Sequence, residues 1–174
     1  MKPKYLKKLL LSEIQSVTEK FDEFCVEPRK NFIRKRKLSF ETVIKTIIGM
    51  ESKSLSNELI DAFDTAPDLP SASAFIQQRS KIKPEAFKTI FSSFTLKVTS
   101  TNPDDIRILA VDGSDIHTPT NSDDLSSFYP GVNGQKPYNL LHLNALYDLN
   151  QNIYTDVLIQ GRKDMDEHIA LQEM

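Results

Sequence analysis

The stretch Ile106-Arg107-Ile108-Leu109-Ala110-Val111-Asp112-Gly113-Ser114 decides how this chain of 174 residues is read. Residues 106–111 are compact, β-prone and almost wholly apolar, the texture of a buried strand. A strand apolar on both faces is expected at the centre of a sheet with helices over either side. Asp112 closes that strand. The preceding Thr101-Asn102-Pro103-Asp104-Asp105 reads as a loop and places a domain boundary near residue 101.

Upstream of the boundary the pattern is helical. Leu6, Leu10, Ile14, Val17, Phe21 and Phe24 recur at spacings of three and four, the single stripe of an amphipathic helix. Pro28 breaks it. Residues 29–37 follow, in which Arg29, Lys30, Arg34, Lys35, Arg36 and Lys37 are six cations among nine residues. Phe32 and Ile33 are placed to anchor this run to the body of the protein, leaving the cations to meet phosphates. Ser39 and Ser54 are N-cap candidates for the next two helices, and Ser71 or Ser73 for a third. That third helix carries Gln77, Gln78 and Arg79, whose polar side chains suit contacts with a nucleic-acid groove or backbone. The pair reads either as a helix-turn-helix-like unit or as a small bundle with a polar outer face. Pro84 is expected as the first residue of a further helix, with Phe87, Ile90, Phe91 and Phe94 facing a core.

Downstream, residues 118–137 are rich in Ser, Asp, Asn, Gly and Pro and are expected as a long exposed loop. Residues 138–147 and 153–159 read as two antiparallel strands joined by a hairpin turn at 148–152. Asp164, with Glu167 three residues on, resembles a capping box that opens a last helix. The sequence ends at Met174 inside that helix. Three strands and one begun helix make a thin α/β domain, so the expectation is the first part of a longer protein or a natural truncation.

Composition narrows the function classes. Cys25 is the sole cysteine, which excludes an internal disulfide and starves any cysteine-based zinc site of ligands. No apolar run approaches the ~18 residues of a membrane span, so a soluble, cytoplasmic protein is expected. The net charge of -2 conceals a division: residues 1–100 hold 18 Lys+Arg against 12 Asp+Glu, and residues 101–174 hold 4 against 12. The basic half attracts a polyanion, and the acidic half needs cations before it can approach one.

Asp112 carries the chemistry. An acid at the end of a buried strand stands where α/β folds place ligand sites. Carboxylates suit Mg²⁺ or Mn²⁺, a pair of which can activate water and steady a leaving oxygen in phosphodiester cleavage. One carboxylate holds no such pair. If the strand continues, Ser114 shares the face of Asp112 and Asp115 points away. His142 and Asn144 border the site only if their face is also that of Asp112, and a satisfied internal histidine is the plainer reading of His142. His117, His142 and His168 lack zinc-ligand spacing.

These motifs together resemble the N-terminal part of DDE-type insertion-sequence transposases, in group four. The similarity covers residues 30–174. It runs through Phe32-Ile33-Arg34-Lys35-Arg36-Lys37-Leu38-Ser39-Phe40, residues 73–82, the Asp112-Gly113-Ser114 segment, residues 142–148 and Asp166-Glu167-His168. The resemblance implies an α+β chain. An all-helical, DNA-binding region (1–100) would precede the start of a ribonuclease-H-like α/β core (101–174) with three strands. It implies Asp112 as first acid of a metal triad, with Mg²⁺ or Mn²⁺ as cofactor. DNA is the implied partner, and a nucleoid-associated bacterial protein the implied setting. The family cleaves DNA at element ends and joins the freed 3′ hydroxyl to a target. Its second Asp and its Glu, in a Tyr-Arg-Glu-Lys signature, are not in this sequence. The alternative is therefore a non-enzymatic remnant that binds DNA or dimerises, alone or with the full-length transposase.

Overall fold

The stripe that starts at Leu6 folds as α1, Pro3–Glu19, which buries Ile14 and Val17. The computed structural model describes residues 3–34, 36–64, 69–99 and 106–174. After Glu19 the backbone tightens into a short 3-10 turn, Phe21–Phe24, where the Phe21 ring packs 6.1 Å from that of Phe40. Three short helices follow, each opened by a serine whose side chain accepts a backbone N–H three residues on. Ser39 caps α2, Phe40–Ile48, through Thr42; Ser54 caps α3, Leu55–Phe63, through Asn57; Ser71 caps α4, Ala72–Arg79, through Ala74. Such a cap contributes about 1 kcal/mol. Then α5, Glu85–Val98, begins directly after Pro84.

Two compact units divide the chain, Met1–Phe94 and Thr95–Met174. In the first, α2 packs on α1, α3 and α4. Its centre is apolar: Phe75, Val43, Ile44 and Cys25 are wholly buried, with Ile14, Leu59 and Ile90 around them. Burial pushes the Cys25 thiol above its ordinary pKa, Asp22 adds to this and Lys83 opposes it. The thiol is thus a small core residue. No helix among the described residues is long and apolar enough to cross a membrane.

The second unit is an antiparallel sheet of β1, Leu109–Thr118, β2, Phe128–Tyr129, β3, Tyr138–Asp148, and β4, Ile153–Gln160, followed by α6, Glu167–Glu173. The chain is therefore α+β, with N-terminal helices, a four-stranded antiparallel sheet and a C-terminal helix. β1 runs along one edge of β3 from Leu109↔Asp148 to Thr118↔Asn139. β2 and β4 share the other edge. The centre of the sheet is β3.

Several expectations are corrected here. Among the described residues there are four strands rather than three, because Phe128 and Tyr129, inside the segment read as an irregular loop, pair with Asn139 and Tyr138. That segment is also tied down by Asn139, fully buried, whose amide bonds both backbone groups of Asn121 and the Ser127 hydroxyl. The first strand starts later than residue 106 and runs through Asp112 to Thr118, so Asp112 lies mid-strand. It is an outer strand rather than the central one. Ile108 and Val111 are exposed, since among the described residues β1 pairs with β3 alone. The cap of α6 is Asp166 rather than Asp164; its carboxylate accepts from the His168 and Ile169 amides.

Candidate nucleic-acid interface and the Asp112 strand

The basic segment is shaped by its ends. An antiparallel bridge joins Cys25 to Ile82, with the Val26 amide donating to Lys81 O and the Lys83 amide to Phe24 O, both at 2.9 Å. This sets Lys81 beside the segment. Arg29 and Phe32 adopt left-handed backbone, φ 62° and 57°. Such a conformation costs an ordinary residue about 1–2 kcal/mol. It is offset where the Arg29 amide donates to Asp22 Oδ1 and where the Phe32 ring meets Phe40 edge-on at 5.6 Å. Phe32 is the anchor that the sequence suggests. Ile33 is not, being 62% exposed.

A cleft of about 250 Å³ opens there, lined by Lys30, Arg34, Arg36 and Lys81 together with Phe32, Ile33, Leu38 and Gln78. The structure thus brings together three cations of the basic segment, Lys30, Arg34 and Arg36, with Gln78 of α4. Lys30 also pairs loosely with Glu27, at 3.6 Å. Arg29 and Lys37 are exposed outside the cleft lining, and Lys37 reaches the Phe63 ring at 5.6 Å. Lys35 lies outside the described residues. On α4, Gln77 and Arg79 face solvent, whereas Gln78 turns inward, 8% exposed, and accepts from Lys81 Nζ at 3.2 Å. Gln78 therefore shapes the cleft and is not presented outward as the sequence suggests. It lies three residues after the buried Phe75, on the same helix face.

A larger cleft of about 550 Å³ lies between α2 and α3, but its charges compensate one another. Lys53 bonds Asp61 at 2.7 Å and Glu51 at 3.3 Å. Its lining therefore offers an anion little unspent positive charge.

Asp112 is exposed and stands opposite Ala145. Strand alternation puts it on the face of Ser114, Leu143 and Ala145. His142 and Asn144 are on the other face, so they do not border Asp112. Asp115 points away from Asp112, as alternation requires, and there its carboxylate accepts from His142 Nδ1 at 2.8 Å. Among the described residues no group of three or more His, Cys, Asp or Glu side chains is placed to hold a metal ion. A single exposed carboxylate does not fit a two-metal centre.

Two further acids of the sheet unit, Asp124 and Asp148, have structural partners. Asp124 accepts from the Ser126 and Ser127 hydroxyls, which hold its pKa below the ordinary carboxylate value. At the hairpin, Asp148 is wholly buried. Burial raises its pKa, but the bond from Arg107 Nε at 2.9 Å and the Gln151 and Asn150 amides outweigh this and leave it lowered.

Sequence reasoning missed the pairing of Asp115 with His142 and Glu167. The imidazole is 7% exposed, and its Nε2 lies 3.6 Å from Glu167 Oε1. The signal was the register: once β1 is carried through to Thr118, Asp115 falls opposite His142.

Compared with known protein families, curated proteins and solved structures, the chain matches none.

Proposed function

We propose that the helical unit binds DNA and that the chain is the N-terminal portion of a DDE-type insertion-sequence transposase, with a ribonuclease-H-like second unit. The observation that carries the DNA-binding part is the cleft where Lys30, Arg34, Arg36 and Lys81 converge. Such a cluster neutralises phosphates, and each neutralised phosphate releases counterions. Gln77 and Arg79, both exposed and flanking Gln78 on α4, are further candidates for contact with the nucleic acid. The antiparallel hairpin of β1, β3 and β4 supports the fold assignment, and the sequence motifs support the family.

Fluorescence anisotropy of the full chain on duplex DNA tests this reading. If Arg29, Lys30, Arg34, Lys35, Arg36 and Lys37 all meet phosphates, log K falls with log salt at a slope of about -5. Replacing Arg34 and Arg36 by Ala should flatten the slope by about 2 units, at roughly 0.9 per contact. An affinity indifferent to salt overturns it.

In this proposal Asp112 supplies one acid of the family's triad, which would bind Mg²⁺ or Mn²⁺ only together with the other two. The solitary exposure of Asp112 favours a second reading, a non-enzymatic remnant that competes with intact transposase for DNA or for subunits. Co-expression with full-length transposase separates them: an inert fragment leaves the transposition frequency unchanged, and a competitor lowers it. Neither reading expects DNA nicking by this chain alone in Mg²⁺ or Mn²⁺, and nicking that Asp112→Ala abolishes would overturn the reading of its acid site as incomplete.

A further inference from the structure

The sheet face opposite Asp112 gathers lone pairs without a donor to meet them. The carboxylate of Asp115 bonds His142 Nδ1, so in the neutral ring Nδ1 carries the proton and Nε2 is an acceptor. That Nε2 is buried and makes no hydrogen bond. Another acceptor, Glu167 Oε1, lies 3.6 Å from it. Asn144, wholly buried on the same face, leaves its Oδ1 unbonded as well.

The orientation of Asn144 is set by the backbone. Gln160 Nε2 donates to Asp166 O and Gln160 Oε1 accepts from the Asp166 amide, which fixes which end of that amide group is which. Asn144 Nδ2 then donates to Gln160 Oε1 at 2.9 Å, so its oxygen is the atom left over. The same bonds tie the start of α6 to the sheet and bring Glu167 over His142. Gly113, opposite Asn144 in register, keeps the space open. A Cβ at that position would lie 2.6 Å from His142 Nε2 and 3.0 Å from Glu167 Oε1.

We propose that this pocket binds one divalent transition-metal ion of the zinc type. His142 Nε2 and the Glu167 carboxylate are its ligands, Asn144 Oδ1 is a third donor, and Asp115 is a positioning residue. Imidazole with carboxylate suits a borderline cation. A carboxylate on the second ring nitrogen is the usual device for orienting a metal-binding histidine. Water fills the remaining positions, because Glu167 is open to solvent. The site uses neither Asp112 nor the basic cleft, and so stands apart from the proposed function.

Zn²⁺ is the probe, titrated into the full chain against a chromophoric chelator. One equivalent should bind. His142→Ala and Glu167→Gln should each weaken binding at least tenfold, and Asp115→Asn by about 10–100-fold. Gly113→Ala should block it by filling the space, while His117→Gln and His168→Gln retain it. Glu167 is exposed, so its variant keeps the test sound even if His142→Ala fails to fold. ¹⁵N NMR of His142 should show Nε2 unprotonated and shifted by Zn²⁺. Zn²⁺ uptake that is absent, or unchanged in Glu167→Gln and Gly113→Ala, overturns the proposal. So does a His142 ring protonated on both nitrogens at neutral pH, because an imidazolium then answers Glu167 without any metal.

Discussion

The two units differ in what they bury most completely. The helical unit closes on Phe75, Val43, Ile44 and Leu59, all at most 1% exposed, while its buried polar residues, such as Glu13, Glu58 and Gln78, keep a few per cent of exposure. In the sheet unit Asn139, Asn144, Asp148 and Ser127 are wholly buried, beside the buried Leu140, Leu146 and Ala170. Apolar packing needs volume and tolerates variation in direction. A polar interior needs every donor and acceptor matched, and each mismatch is expensive. The first unit is thus held mainly by shape at its centre, and the second draws more on a directed network. The two unpaired atoms of that network, His142 Nε2 and Asn144 Oδ1, mark the place where it is built for something besides stability.

The largest effect that sharpens this contrast is Phe75→Ala, expected to cost about 3–5 kcal/mol. Urea unfolding followed by amide NMR should show the helical signals lost early and the sheet signals little changed. Simultaneous collapse of both would break the contrast. A smaller effect is expected for Asn139→Ala, about 1–3 kcal/mol, because the Asn121 backbone and the Ser127 hydroxyl lose their partner inside the fold. Thermal melts of the sheet signals measure it, and a neutral result would mean that the network contributes little.

The smallest effect is confined to acid. The lowered pKa of Asp148 means that its contribution is complete above the unfolded carboxylate value, about 3.9. It fades as pH falls through the folded value. Urea midpoints should therefore drop more steeply below pH 4 in the native chain than in Asp148→Asn.

Local signals were the legible ones. Ser39, Ser54 and Ser71 announce their helices because a cap acts across three residues, and the α1 stripe is visible for the same reason. The basic segment was legible from its run of cations, and of the two anchors expected within it Phe32 packs on Phe40 while Ile33 is exposed. The sheet was legible as strands but not as an arrangement. The apolar run before Asp112 suggested a covered central strand, yet exposure is decided by which strands pair, and β1 meets only β3 among the described residues. Likewise the partnership of Asp115 and His142 spans 27 residues and exists only through register. The inward turn of Gln78 was available from its spacing to Phe75, but its polar chemistry pointed the other way.

The left-handed backbone at Arg29 and Phe32 has a kinetic consequence. If the basic segment binds DNA as proposed, a backbone already turned at these two residues would meet the incoming strand without first being reshaped there. Association would then run at the pace of electrostatically guided collision.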